Sequence, residues 1–127
     1  MNTPSKDFII YLAGFFDGEG SITIRERTDR IKSLDIRVGI TQSFPRGRLL
    51  LKEIEYILGI GSVYHKEVTK RGWHFIVTKV DDCRDLLVLM VPHLKIKRSE
   101  AITAIEIIDK WKKSGIIPPK DWRTVDN

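Results

Sequence analysis

The stretch from Tyr11 to Ile24 limits what this chain can become more than any other part of it. It begins as an apolar helix and ends as an alternating strand, with two acids, Asp17 and Glu19, set among glycines where one becomes the other. A helix over residues 7–18 is apolar nearly all round, and such a helix must be buried on every side. Its own sheet can cover one side. The other side needs a second body, and a copy of the same helix is the simplest supply. Gly14 and Gly18 share one helical face, where missing side chains let another backbone come close. The motif occurs once, so the chain is expected to act as a homodimer, with Leu12, Gly14, Asp17 and Gly18 at the interface.

Glu19 falls at the C-terminal end of that helix, where the backbone dipole disfavours an anion. A carboxylate kept there invites a cation, and a divalent metal ion is the strongest candidate. One carboxylate gathers little negative charge by itself, whereas two copies brought together at paired helices bring two. Asp17, two residues earlier, points elsewhere on a helix and is assigned to packing at the helix end. Gly18 and Gly20 suit a helix stop, and Ser5 suits the opposite cap.

Ser21 to Arg27 alternates, with Ile22 and Ile24 on one face and Thr23, Arg25 and Arg27 on the other. After a polar turn over residues 28–32, Leu34 to Gln42 alternates again: Leu34, Ile36, Val38 and Ile40 inward, Ser33, Asp35, Arg37, Gly39 and Thr41 outward. Two such strands form an antiparallel hairpin with one basic face. Pro45 and Gly47 break the pattern, and Arg48 to Leu58 reads as a helix that stops at Gly59. A second hairpin spans Ser62 to Val68 and Trp73 to Val80, with Val63, Phe75 and Val77 inward and Tyr64, Lys66, His74 and Ile76 outward. Asp81 or Asp82 is expected to cap a helix to about Met90. Ser99 is expected to cap a last helix with Ala101, Ile102, Ile105, Ile108 and Trp111 along one stripe, stopped by Pro118-Pro119. The order α-β-β-α-β-β-α-α predicts an α+β fold: a four-stranded antiparallel sheet with helices on one face, in a single domain over residues 1–127 whose tail after about 114 is peripheral.

The 127 residues carry a net charge of +5, and between Ser21 and Arg48 seven basic residues meet three acids, so most of the excess lies on the predicted sheet. That favours a polyanionic partner. No run of 18 apolar residues spans a membrane, and the polar start, Met1 to Asp7, predicts no signal peptide and an intracellular protein. A single cysteine, Cys83, excludes an internal disulfide and reads as structural.

The segment Leu12-Ala13-Gly14-Phe15-Phe16-Asp17-Gly18-Glu19-Gly20 resembles the signature of the LAGLIDADG homing endonucleases. It matches at Leu12, Ala13, Gly14, Asp17 and Gly20, with Glu19 keeping the last acid. The element order resembles the family fold to about residue 113. The resemblance implies a sheet that forms a saddle over the major groove, and a homodimer that cleaves both strands of a near-palindromic DNA target. Thr23, Arg25, Arg27, Ser33, Asp35, Arg37, Tyr64, Lys66, His74 and Ile76 become its candidate DNA contacts. It also implies that Glu19 binds Mg²⁺ or Mn²⁺, with Ca²⁺ as a non-catalytic substitute, helped by the backbone carbonyl of Gly18. Gln42 matches a polar residue that orders water near the scissile phosphate, and Lys97 a lysine that stabilises developing charge. Arg46 adds positive charge at the same pocket.

Two other readings compete. A protein of this fold can bind without cutting, as an intron RNA maturase or a DNA-binding regulator. A plain interaction domain with a self-associating helix is the other. Glu19, Gln42 and Lys97 together favour the nuclease, since a pure binder needs none of them.

Overall fold

The computed structural model describes residues 1–26, 34–43, 46–65 and 72–114. Arg27, Ser33 and Lys66, the hairpin turns expected at residues 28–32 and 69–71, Pro45 and the Pro118-Pro119 stop lie outside those residues. The elements are α1 (Lys6–Glu19), β1 (Gly20–Glu26), β2 (Leu34–Gln42), α2 (Arg46–Leu58), β3 (Ser62–His65), β4 (Trp73–Val77), α3 (Val80–Met90), a 3-10 turn over Val91–His93, and α4 (Arg98–Ser114).

Helix α1 starts where Ser5 accepts a hydrogen bond from the Phe8 amide at 3.2 Å. That satisfies one of the donors a helix start leaves over. Its last turn closes when the Gly20 amide donates to the Phe16 carbonyl. Gly20 has extended geometry, φ −88°, so its lack of a side chain answers a need for space. A Cβ there would lie 2.2 Å from the Phe16 ring. Gly18 stays inside the helix and does not stop it.

The four strands run antiparallel in the order β1-β2-β4-β3, so the two hairpins meet through β2 and β4. Ile22, Ile24, Leu34, Ile36, Val38, Ile40, Phe75 and Val77 are buried on the face that carries the helices. Leu12, Ala13 and Phe16 of α1, Leu51, Ile54 and Leu58 of α2, Leu86, Leu87 and Met90 of α3, and Ala104 and Ile108 of α4 complete this core. Each large side chain among them contributes about 1.5–3 kcal/mol by leaving water. Cys83 belongs to the core too. Its thiol donates to the Val77 carbonyl at 3.2 Å, and burial pushes its pKa up to about 12, which makes it inert as a nucleophile.

Four local expectations are corrected. Helix α2 begins two residues early and takes in Gly47, which packs so tightly on β2 that a Cβ would come within 2.5 Å of Gln42 Cβ. Helix α3 is capped at Lys79 with no side-chain hydrogen bond, and Asp81 and Asp82 lie in its first turn, where they suit the dipole. Ser99 falls within α4 rather than at its cap. Ile102 faces out at 39% exposure, and Ala104 and Ile107 take the inward places.

Candidate functional site

Helix α1 has two different sides. Ile9, Leu12, Ala13, Phe16 and Asp17 face the body of the chain, and Ile10, Tyr11, Gly14 and Gly18 face out. Ile10 is 45% and Tyr11 54% exposed, an unusual load of apolar surface for one helix side. A Cβ at Gly14 or Gly18 would meet nothing within 4 Å, so these notches open outward as expected. Leu12 and Asp17 do not belong with them. Leu12 is 1% exposed within its own core, and Asp17 is 9% exposed, with its carboxylate bonded to the same chain.

The Asp17 carboxylate accepts the backbone amides of Lys95 at 2.8 Å, Ile96 at 3.2 Å and Lys97 at 3.0 Å. Its own carbonyl accepts the Lys97 ammonium at 2.8 Å. No basic residue lies in the last turn of α1, so the cation that this helix end favours arrives from 80 residues away.

Glu19 is the last residue of α1 and is exposed, as is Gly18 before it. The Phe16 carbonyl accepts the Gly20 amide and the Asp17 carbonyl accepts the Lys97 ammonium. A carboxylate beside helix-end carbonyls is an all-oxygen set, the kind that hard divalent cations prefer. The residues therefore fit such an ion in chemistry. Among the described residues no cluster of three or more His, Cys, Asp or Glu that could hold a metal ion forms.

Gln42 ends β2 and Arg46 begins α2 at the same end of the sheet. Gly20 pairs with Ile40, so Gln42 lies two residues beyond the point where α1 turns into β1. That is roughly 7 Å along the strand. Gln42 Nε2 donates to the Thr41 carbonyl at 2.9 Å, and the first turn of α2, which begins with the exposed Arg46, presses on Gln42 through Gly47. Trp73 pairs with Gln42, lies tilted against His65 with ring centres 5.2 Å apart, and carries the Arg48 guanidinium 4.9 Å from its ring centre. Sequence reasoning missed this Arg48–Trp73–His65 column. The available signal was Trp73 itself, which has inward parity at a strand end where the core has already stopped.

The open side of the sheet carries Thr23, Arg25, Asp35, Arg37, Tyr64, His74 and Ile76 as expected. Register sorts them into rows. Arg25 pairs with Asp35 and Thr23 with Arg37 at one end. Thr41, His74 and Tyr64 form a row at the other. Asp35 Oδ1 stands 3.9 Å from Arg37 Nε, and both side chains are partly solvated, so the pair is weak and easily redirected. Thr41 Oγ1 is 2.9 Å from His74 Nδ1, and the His74 ring stacks on Tyr64 at 5.4 Å. Gly39 and Ile76 sit between these rows, and a Cβ on Gly39 would come within 3.3 Å of Ile76 Cγ1.

The LAGLIDADG endonuclease family profile matches residues 12–111. DNA endonuclease I-CreI of Chlamydomonas reinhardtii is 29% identical over 125 residues, covering 94% of this chain and 74% of the relative. DNA endonuclease I-CvuI of Chlorella vulgaris is 34% identical over 104 residues, covering 79% of this chain and 63% of the relative. The crystal structure of homing endonuclease I-CvuI with its target in the presence of calcium has a TM-score of 0.73 at 26% identity, over 86% of this chain and 70% of that one. With the I-CreI target and magnesium, where the DNA is not cleaved, the values are 0.74, 25%, 87% and 71%. No described helix is long and apolar enough to cross a membrane.

Proposed function

The chain belongs to the LAGLIDADG endonuclease family, and from that premise we propose that it is a site-specific homing endonuclease that works as a homodimer on a near-palindromic double-stranded DNA target. Residues 12–111, the stretch that the family profile matches, form one such unit. The observation that carries this reading is the exposed Glu19 at the end of a helix whose outward side is notched at Gly14 and Gly18, with the Lys97 ammonium tied two residues away at Asp17.

Pairing the outward sides of two α1 helices covers Ile10 and Tyr11, and it brings two Glu19 carboxylates to one axis. The glycine notches allow the close approach this needs. Glu19 and the Gly18 carbonyl would hold Mg²⁺ or Mn²⁺, with Ca²⁺ as a binding but non-catalytic substitute. When bound, such an ion supplies Lewis-acid charge to a phosphodiester and to the attacking water.

The rest falls to the chain's own side chains. Lys97 places a fixed positive charge where the scissile phosphate gathers negative charge. Gln42 orients water at the sheet end, and Arg46, in the first turn of α2, adds charge beside it. The open face lies along the major groove, wide enough for a two-stranded ribbon. Arg25 and Arg37 can pair bidentately with guanine, Asp35 can accept from cytosine, and Tyr64, His74 and Thr23 reach further base edges or the backbone.

The test is to incubate the protein with Mg²⁺ and a plasmid library of partly randomised palindromes and to sequence the ends. Double-strand cuts at one recurring near-palindrome are expected, with a dimer by sedimentation. Tight binding of DNA or intron RNA without cuts would replace the nuclease by the maturase or regulator reading, and a monomer on DNA would remove the paired site.

A further inference from the structure

The nuclease reading leaves Asp17 without a part in the reaction, although it is the most heavily bonded acid at the site. A carboxylate at 9% exposure must find donors, and it finds three consecutive backbone amides, those of Lys95, Ile96 and Lys97. They belong to the segment that leads into α4, 78 to 80 residues further along the chain. Three such bonds in a row fix the path of the segment, and with it the point from which the Lys97 side chain starts. The far end of that side chain is fixed by the same residue, because the ammonium donates to the Asp17 carbonyl at 2.8 Å.

Lys97 is thus held at both ends by one residue, and that residue is joined through Gly18 to Glu19. We propose that Asp17 is a positioning residue for the cleavage reaction: it sets where the Lys97 ammonium stands relative to the Glu19 carboxylate. This rests on the nuclease reading. The division of labour is chemical. Glu19 is exposed and can meet an ion, whereas the Asp17 oxygens are already filled by amide hydrogens and are left with little capacity for one. The lysine is tethered through a weak neutral carbonyl rather than through the carboxylate, so its charge is not cancelled by an ion pair and remains available to the phosphate.

The experiment uses the whole protein and its cleavable duplex, with single-turnover cleavage in Mg²⁺ and binding in Ca²⁺. Asp17→Asn keeps the shape but turns a side-chain N–H₂ toward backbone N–H donors. Hydrogen exchange at residues 95–97 is expected to quicken. Cleavage is expected to fall roughly tenfold to hundredfold, the range a misplacement of about 1 Å brings. DNA affinity is expected to stay within about threefold. Lys97→Ala loses roughly a hundredfold in rate. Adding Asp17→Asn to it should cost no more than about threefold further, because nothing is left to position.

If the two losses multiply, Asp17 acts independently of Lys97 and the proposal fails. It fails equally if Asp17→Asn cleaves at the full rate. Should that variant not fold, Lys97→Arg keeps the charge but spreads it over a larger planar group, which moves its centre away from where the ammonium stands. A loss of about tenfold is then expected, and an unchanged rate would overturn the proposal. A wild-type protein that cuts nothing is a different failure, seen before any variant is made, and it removes the nuclease reading and this proposal together.

Discussion

The end of α1 and the open face of the sheet are built in opposite ways. At the helix end, polar groups are bound to one another across 78 to 80 residues of chain, by short hydrogen bonds with little exposure. On the open face, Arg25, Asp35 and Arg37 are placed by strand register, and Asp35 meets Arg37 only in a solvated 3.9 Å contact. The difference separates two demands. Stabilising a transition state requires charges that do not move when the reaction happens. Reading base edges requires long side chains that can leave weak partners and reach the groove. One region should therefore govern rate and the other affinity and specificity.

The sharpest way to break that separation is Glu19→Gln. Cleavage in Mg²⁺ is expected to fall by at least roughly a hundredfold, because the change removes the exposed carboxylate at the helix end. Binding measured in Ca²⁺ should weaken by no more than about threefold. Full activity would take Glu19 out of the metal site. A parallel loss of binding would mean that the helix end also docks the DNA.

Arg37→Ala tests the other region and should give a smaller, opposite pattern. Affinity is expected to fall roughly tenfold, while DNA once bound is cut at nearly the wild-type rate. If Arg37 reads a guanine, discrimination at one symmetric pair of target positions drops by about 1–3 kcal/mol. If it meets a phosphate, the salt dependence of binding becomes shallower, by about 0.9 for each phosphate no longer neutralised. A change in cleavage rate with binding intact would show that the sheet face and the helix end are coupled.

How much of each region was legible follows from what each is made of. The strands announced themselves by alternation, and β2 runs from Leu34 to Gln42 as expected because each inward residue is aliphatic. The open-face residues follow from the same parity. Glu19 was read from its place at a helix end, and Gln42 and Lys97 only from the family pattern; Glu19 ends α1, Gln42 ends β2, and the Lys97 ammonium bonds the Asp17 carbonyl from the segment before α4. The side of α1 on which Leu12 and Asp17 lie was not legible. A helix apolar all round carries no angular signal, so nothing in it says which residues face home. The link from Asp17 to residues 95–97 was hidden for another reason: every residue type but proline offers a backbone amide, so such a bond leaves no trace in sequence. Ser99 satisfied a local capping rule, yet α4 begins one residue before it, next to the segment that Asp17 holds from another helix.

The smallest expected effect belongs to a charge pair in neither region, and it bounds what ordinary surface electrostatics can do here. Arg84 of α3 donates to Asp109 of α4 at 2.7 and 3.1 Å, and this hydrogen bonding holds the Asp109 carboxyl below its usual range. A lowered carboxylate pKa adds stability that is present above the unfolded-state value, near pH 4, and is lost as pH falls through the folded-state value. Both side chains are more than a third exposed, so solvent screens most of the gain. Asp109→Asn should lower the thermal midpoint by no more than about 3 °C near pH 7, and the gap to wild type should close as the carboxyl becomes protonated in acid. Cleavage and DNA affinity should both stay unchanged. A tenfold change in either would mean that charge anywhere on this fold reaches the working regions, and the contrast between a locked helix end and a compliant sheet face would lose its meaning.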